Sequence, residues 1–413
     1  MVLFLSGCSK VTEVDGKSFV TAIGFDKGEN FNLRFTFVFT SPTESGAKSS
    51  GGEDDETIVI EAPSLYSAIE QINHFKSKTI ELSHTQTVIF SEELAKEGIK
   101  EHIFSLVRSS HFRPNIYVCI ADGTSMEFLE KINPVQTYHL EKYFQLFFDK
   151  TSSGKRGDLF LYDTYFRLLT EGGSAALPYC AINNAQLKTD TEKESPSENE
   201  SEEPSEENTL VGEFAENTDD FAINTAAGKI IRKSKNPAEI QGVAVVKNGV
   251  FVCMLGKMES TALQLITGNM PNNYITVSNS LDTEEMITCY TTLTENNVKV
   301  ECGKVPKISV SIKMEGDYSQ MGSDSYYVKN PREFEKYFEG KMKETVEKFL
   351  NKIRELNCDI CGFSEAAKRN FLTVSDWEEY NWDEKFKNAE FDVDITLTIR
   401  TYGELSEDAG VTR

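Results

Sequence analysis

A strongly acidic segment in the middle of the chain constrains the fold more than any other feature of the sequence. Residues Lys188 to Asp220 are rich in Glu, Ser, Asn and Pro, and between Thr189 and Asp220 thirteen acidic residues stand against one lysine. Such a segment buries too little apolar surface to offset the entropy of ordering, so we predict a solvated, self-repelling linker or loop. Binding of cations or of a basic partner is the functional alternative.

Length and charge limit what the rest of the chain can be. At 413 residues it suggests two or three domains of about 150 residues each. Its composition, 39% hydrophobic and 11% aromatic, is sufficient for real cores. A net charge of −23 would be repelled by phosphate backbones, and no basic groove is evident in the sequence, so we predict no nucleic-acid partner.

Before the acidic segment, strands alternate with helices. Lys17 to Phe25 and the alternating residues Phe31 to Thr40 predict a hairpin joined by the loop Asp26 to Asn30. Further strands are predicted at Gln86 to Phe90 and at Asn115 to Ala121, with helical stretches between and after them. This alternation is typical of an α/β layer arrangement.

After the acidic segment, the sequence predicts antiparallel strands. Gln241 to Val246 and Val250 to Leu255 flank Asn248-Gly249, which supplies the positive φ angles of a type I′ hairpin turn. A helix is predicted from about Ser260 to Thr267. Three strands, Met286 to Thr294, Val298 to Cys302 and Lys307 to Glu315, are predicted to form an antiparallel meander.

The longest helix follows that meander. We predict that it begins with Asn330 as N-cap and Pro331 as the first helical residue, with the pairs Glu339–Lys343 and Glu344–Lys348 on its solvent side. We expect its apolar stripe to cover the final strand, Phe391 to Arg400. The residues of this stripe, spaced by three or four, are Phe334, Phe338, Met342, Val346, Phe349, Ile353 and Leu356.

The N-terminus carries a candidate modification site. Its apolar run ends in Leu5-Ser6-Gly7-Cys8, like the tail of a bacterial lipoprotein signal, in which small residues precede a cysteine that receives a diacylglycerol. A secretory signal has a basic region and about 7 to 15 apolar residues. Here five apolar residues precede Ser6 and none is Lys or Arg. Either the signal begins upstream of Met1, or Cys8 is not modified and is a chance cysteine.

The remaining cysteines predict no complete metal site. Cys119, Cys253 and Cys289 lie in sequences typical of buried strands, where a thiol acts as a small hydrophobe. Cys358 and Cys361 have the spacing of a metal or redox pair, but no second Cys pair or following histidine completes a set of four zinc ligands. We interpret this pair as structural.

The sequence shows no familiar catalytic signature. It contains no Gly-rich phosphate loop, H-E-x-x-H, G-x-S-x-G or EF-hand loop. His84, in Ser83-His84-Thr85, supports a secreted hydrolase only as a distant alternative. Trp377 and Trp382 could hold a small ligand between aromatic faces, but packing against the long helix is the preferred interpretation. We predict no enzymatic activity, no cofactor and no metal.

Several segments, taken in their order, resemble one family, the Ger(x)C lipoproteins, which are the C subunits of bacterial spore germinant receptors. No single segment is specific to the family, so the resemblance depends on the order in which the segments follow one another along the chain. The segments are Leu5–Cys8, Val20–Lys27, Leu82–Phe90, Leu94–Ile99, Arg108, Gly242–Lys247, Glu259, Cys358–Phe363, Trp377, Trp382 and the closing strand to Gly403.

The resemblance implies a three-domain α/β lipoprotein that Cys8, with an S-diacylglycerol and an N-acyl group, holds on the outer surface of the spore inner membrane. There it would act with membrane A and B subunits so that a nutrient triggers germination, and the nutrient is a candidate ligand. The family does not explain the acidic segment. The alternative is an extracytoplasmic solute-binding lipoprotein, which would need a cleft with convergent polar groups.

Together these patterns predict an α/β (α+β) protein. Its three domains would contain mixed or antiparallel sheets with packed helices, and the last would be a small antiparallel sheet covered by the long helix. The predicted divisions are a signal remnant at 1–8, an N-terminal α/β domain at 9–187, the acidic insertion or linker at 188–222, a middle domain at 223–281, a C-terminal α/β domain at 282–404 and a tail at 405–413.

Overall fold

The computed structural model of the chain consists of two β-sheets with helices packed on them. Cys8 and the acidic segment 188–220 lie outside the described residues, so the lipidation and linker hypotheses stay predictions. The structure describes residues 16–40, 56–134, 140–151, 160–170, 172–183, 225–230, 232–270, 272–278, 286–320 and 330–401.

The first sheet is mixed. Its strands are β1 (Lys17–Lys27), β2 (Leu33–Thr40), β3 (Glu56–Ala62), β4 (Thr79–Glu81), β5 (Thr87–Ser91), β6 (Tyr117–Ala121), β7 (Ser174–Ile182), β8 (Ala238–Lys247) and β9 (Val250–Leu255). Their order is β3-β2-β1-β5-β6-β7-β8-β9, with β4 beside the start of β1. The central strands β1, β5, β6 and β7 are parallel, and antiparallel strands flank them on both sides.

Helices supply the crossovers that parallel neighbours require, because such strands cannot be joined by a tight turn. This arrangement confirms the predicted α/β alternation. The helices of this half are α1 (Leu65–Asn73), α2 (Glu92–Glu97), α3 (Lys100–Arg108), α4 (Ser125–Lys131), α5 (Leu140–Thr151) and α6 (Leu161–Leu169).

Both predicted hairpins are confirmed. β1 pairs with β2 in antiparallel register, with Phe25 opposite Phe35. Between β8 and β9, Asn248 and Gly249 have φ angles of 52° and 86°, as a type I′ turn requires.

The second sheet has the order β10-β11-β12-β13. β10, β11 and β12 are antiparallel as expected, but the three strands predicted between Met286 and Glu315 are only two, because β11 runs unbroken from Met286 to Glu301. β13 runs parallel to β12, so the small sheet is mixed where we expected an antiparallel one. The cause is the connection, since a helical crossover returns the chain to the end at which β12 began. The elements are β10 (Asn273–Ser278), β11 (Met286–Glu301), β12 (Lys307–Gln320), β13 (Glu390–Thr401), α7 (Lys257–Thr267), α8 (Pro331–Glu355), α9 (Phe363–Lys368), α10 (Val374–Tyr380) and α11 (Trp382–Phe386).

The long helix α8 covers this sheet as predicted. Leu356 is half-buried, and the stripe residues buried against the sheet are Phe334, Phe338, Met342, Val346, Phe349 and Ile353. Asn330 occupies the N-cap position, but its side chain makes no capping hydrogen bond, and its backbone carbonyl accepts the first helical amide bonds instead.

Of the two solvent-side pairs predicted on α8, Glu344–Lys348 is confirmed at 2.8 Å, whereas Glu339 contacts the sheet instead of Lys343. The Glu339 carboxylate accepts a hydrogen bond from the Leu397 amide at 2.9 Å, and Glu335 accepts one from the Ile399 amide at 2.9 Å. Lys343 lies 3.9 Å from Glu347. β13 is an edge strand, so these two carboxylates satisfy amides that have no strand partner.

The segment 223–281, predicted as a middle domain, is shared between the two sheets. β8 and β9 belong to the first sheet, whereas β10 belongs to the second and α7 packs in its hydrophobic core. The division into three domains stays a prediction.

Candidate functional site

A cavity of about 510 Å³ lies where α7 and the second sheet meet the first sheet. Its walls come from β7, β8, α5, α6, α7, β11 and the turn that leads into α9. Apolar and hydrogen-bonding side chains both border it, and its volume falls within the roughly 300 to 1,000 Å³ that is typical of small-molecule sites. The cavity is therefore the candidate site of the described chain.

Helix α7 presents a polar face to this cavity. Positions three and four apart share one side of a helix. The opposite side carries Ala262 and Leu265, both fully buried in the hydrophobic core. The polar residues of α7 that border the cavity are Lys257, Ser260, Thr261, Gln264 and Thr267.

The three hydroxyl groups on this face differ in their hydrogen bonds. Thr261 Oγ1 donates to the Lys257 carbonyl at 2.9 Å, and Thr267 Oγ1 donates to the Leu263 carbonyl at 2.8 Å. Ser260 is 8% exposed, and its Oγ has no hydrogen-bond partner among the described residues. Ser260 thus brings unused hydrogen-bonding capacity to the cavity wall.

Charged side chains at the cavity carry a positive excess. Arg167 Nη1 lies 3.5 Å from the Glu365 carboxylate. A Cβ on Gly362, whose φ is +75°, would lie 2.9 Å from Arg167 Nη1, so this position favours glycine for both its backbone and its space. Lys257 has no carboxylate within 4.0 Å in the part of the chain that the structure describes. Two cations and one carboxylate therefore line the site.

Two long-range ion pairs hold the walls in place. Lys247 Nζ, at the end of β8, donates to the Asn357 carbonyl at 2.6 Å and to Asp383 Oδ1 at 2.7 Å. Lys352 Nζ on α8 donates to Glu259 Oε1 on α7 at 2.7 Å. Lys247 and Glu259 belong to segments that carry the family resemblance, and their contacts are structural.

The Cys358–Cys361 segment forms a turn that leads into α9. The Asp359 carboxylate accepts hydrogen bonds from two backbone amides at the start of α9, at 2.9 and 2.7 Å, and from Trp382 Nε1 at 3.1 Å. Cys358 is buried, Cys361 borders the cavity, and no cluster of metal-ligating side chains occurs among the described residues. The structural interpretation of this pair fits these contacts.

The other sequence candidates lie away from the cavity. Trp382 is 8% exposed and its ring centroid is 6.1 Å from that of Trp377, so packing explains both. The His84 ring packs on Phe19, with 4.5 Å between ring centroids. None of these side chains borders the cavity.

Thiol reactivity tests the burial of the cysteines. Burial raises the pKa of Cys119 to about 12 and that of Cys358 to about 11, so their thiolates are rare at neutral pH. We expect iodoacetamide, followed by peptide mass spectrometry, to label both only after unfolding, whereas the half-buried Cys361 reacts in the folded protein. Rapid labelling of Cys119 in the folded protein would contradict this packing. Cys253, predicted as a core filler, is only half-buried.

Sequence reasoning missed the α7 face. A helix was predicted from about Ser260 to Thr267, but its polar residues look like an ordinary solvent-facing side. The available signal was their recurrence at positions 257, 260, 261, 264 and 267. This recurrence indicates a binding site only once the fold places other elements, such as β8 and β11, across the cavity from α7.

The segments that carried the family resemblance also explain part of the first sheet. Asp26 at the end of β1 accepts hydrogen bonds from the Ser125 amide at 2.7 Å, the Ser125 hydroxyl at 2.8 Å and the Met126 amide at 3.0 Å. A Cβ on Gly24 would lie 2.3 Å from Ser125 Oγ, so only glycine lets α4 approach β1 this closely.

Comparison with known proteins decides the family. Residues 10–182 match the family described as "Spore germination protein N-terminal domain", and residues 241–403 match "Spore germination B3/ GerAC like, C-terminal". The chain belongs to the Ger(x)C family of spore germination proteins. The resemblance noted in the sequence is therefore confirmed. Among the helices of the described residues, none is both long and apolar enough to span a membrane.

Individual Ger(x)C relatives are distant. Spore germination protein B3 of Bacillus subtilis (strain 168) is 19% identical over 98% of this chain and 97% of its own length. Spore germination protein KC of the same organism is 28% identical over 32% of this chain and 34% of its own length. The crystal structure of the GerBC protein is 14% identical, with a TM-score of 0.48 over 91% of this chain and 96% of that chain.

Proposed function

We propose that this Ger(x)C protein is the lipoprotein C subunit of a spore nutrient germinant receptor. It acts without enzymatic activity, in a complex with membrane A and B subunits, and is required for germination triggered by a nutrient. The observation that carries the proposal is the ordered match of residues 10–182 and 241–403 to the two spore germination families, one on each side of the acidic segment.

Cys8 supplies the membrane attachment in this proposal, and the chain resides on the outer surface of the spore inner membrane. A single myristoyl-sized chain binds membranes only marginally, whereas a diacylglycerol together with an N-acyl group gives durable anchoring. A body with a net charge of −23 is repelled by anionic lipid. The anchor and the partner subunits must therefore supply the localisation.

Spores that carry Cys8→Ala in the full-length gene test this proposal. We expect the variant to leave the membrane fraction and to lose the response to nutrients, while germination by nutrient-independent triggers survives. Cys302→Ala, which removes a half-buried thiol elsewhere, is the matched control and should behave like the wild type. A Cys8→Ala protein that stays fully membrane-bound and responsive would refute the anchoring role.

An extracytoplasmic solute-binding lipoprotein is the second candidate, and the cavity beside α7 is the observation that favours it. The two functions differ in how the isolated protein behaves. Stability that depends on the partner subunits, without binding of a small molecule, supports the receptor subunit, whereas binding of a small molecule by the isolated protein supports the solute-binding protein.

A further inference from the structure

We propose that the cavity beside α7 binds a small organic anion, whose carboxylate is held by Lys257 and Ser260. The inference rests on the geometry of the cavity, which also favours the solute-binding alternative, and it does not depend on the receptor-subunit proposal. Nothing in the family match assigns a ligand to these residues.

The unsatisfied hydroxyl of Ser260 is the first observation. A buried hydroxyl without a hydrogen bond costs free energy, and a serine inside a helix has a ready partner in the carbonyl one turn earlier. Thr261 and Thr267 donate hydrogen bonds to such carbonyls. Ser260 makes no such bond, even though it is buried, with 8% of its surface exposed. An acceptor oxygen in the cavity would satisfy this hydroxyl.

The charge at the cavity is the second observation. The chain carries 66 acidic and 43 basic residues, so a lysine without a nearby carboxylate is against the overall composition. At the cavity, Arg167 has Glu365 at 3.5 Å, whereas Lys257 has no carboxylate partner within the described ranges. A partly buried ammonium group in such a site favours an anion.

The spacing of the two residues suits a carboxylate. Lys257 and Ser260 lie three positions apart on α7, so they are neighbours on one helix face and can contact the two oxygens of one group. Asn296, whose Nδ2 donates to the Ile266 carbonyl at 2.8 Å, and Gln241 add amide groups to the lining. Phe363 and Val298 provide apolar surface for a short carbon skeleton. The site therefore fits a small carboxylate rather than an inorganic anion.

Calorimetric titration of the purified full chain tests the proposal. The probes are acetate, L-lactate, succinate and citrate, together with lactamide and succinamide, which match two of them in shape but lack the charge. We expect at least one carboxylate to bind at a single site, and its amide to bind at least about tenfold more weakly, because charge-assisted hydrogen bonds are lost.

Variants then locate the site. Lys257→Met should weaken binding of that carboxylate about tenfold or more, since it removes a charged partner. Ser260→Ala should weaken it several-fold without lowering the thermal unfolding midpoint, because it removes a hydroxyl that has no protein partner. Lys299→Met on the exposed side of β11 removes the same charge away from the cavity and should leave binding unchanged.

Three results would overturn the proposal. They are no binding of any carboxylate in the panel, equal binding of a carboxylate and its amide, or full binding by both Lys257→Met and Ser260→Ala. Because Ser260→Ala removes no hydrogen bond of the folded protein, it keeps the test decisive if Lys257→Met fails to fold.

Discussion

Replacing Phe349 with alanine is expected to lower the free energy of unfolding by about 3 to 5 kcal/mol, the usual cost of deleting a large core side chain and leaving a cavity. Phe349 is 1% exposed and lies in the middle of the stripe by which α8 packs on the second sheet. Rigid neighbours on both sides limit how far the structure can collapse into the space.

Urea unfolding followed by circular dichroism measures this effect. Lys348→Ala is the matched control, because the side chain of Lys348 is 77% exposed and its pair with Glu344 on the helix surface contributes little. We expect the control to keep the wild-type midpoint. An unchanged unfolding midpoint in Phe349→Ala would contradict the packing of α8 in the hydrophobic core.

Replacing Asp26 with alanine is expected to cost about 3 kcal/mol, because it leaves buried donors without their acceptor. Asp26 is 1% exposed and accepts three hydrogen bonds from Ser125 and Met126, which fix the start of α4 on β1. Thermal or urea unfolding measures the loss. Glu130→Ala on the exposed side of α4 is the control, and we expect it to change little.

The shifted pKa of Asp26 is expected to make the free energy of unfolding depend on pH. Burial raises the pKa of its carboxyl, although the hydrogen bonds from Ser125 and Met126 oppose that rise. As pH increases above the unfolded value of about 3.9, the unfolded chain releases this proton first, so the contribution of Asp26 to stability falls until the folded pKa is passed.

Asp26→Asn cannot titrate at this position and isolates the effect. We expect the stability advantage of the wild type over Asp26→Asn to shrink as pH rises through that window and to stay constant above it. Unfolding curves of both proteins at a series of pH values give the difference. An advantage that grows with pH would show that the hydrogen bonds outweigh burial and lower the pKa.

Much of the local structure was predictable from the sequence. The alternation of Phe31 to Thr40 gave the β1–β2 hairpin, and Asn248-Gly249 gave the type I′ turn. The stripe of α8 gave the helix and its buried face. Each of these depends on residues that are close in the chain, so the information is present in short windows of sequence.

Predictions from short stretches of sequence were wrong where the interaction partner lies far away in the chain. Glu339 was expected to pair with Lys343 one turn away, yet it accepts a hydrogen bond from Leu397, which is 58 positions along the chain. The last sheet was expected to be antiparallel, yet the crossover through α8 makes β13 parallel to β12. A pattern of alternating residues shows that a strand exists, but not which neighbour it takes or in which direction.

By itself, the sequence determined the α/β class, the main strands and helices, and the membership of the Ger(x)C family. Periodicity and turn chemistry are local, and the family resemblance follows the order of segments. The tertiary structure alone decided the cavity beside α7. Lys247 reaches Asp383 across 136 positions and Lys352 reaches Glu259 across 93, so the walls meet only in the folded chain. The polar face of α7 looks like any solvent-facing side until long-range packing encloses it.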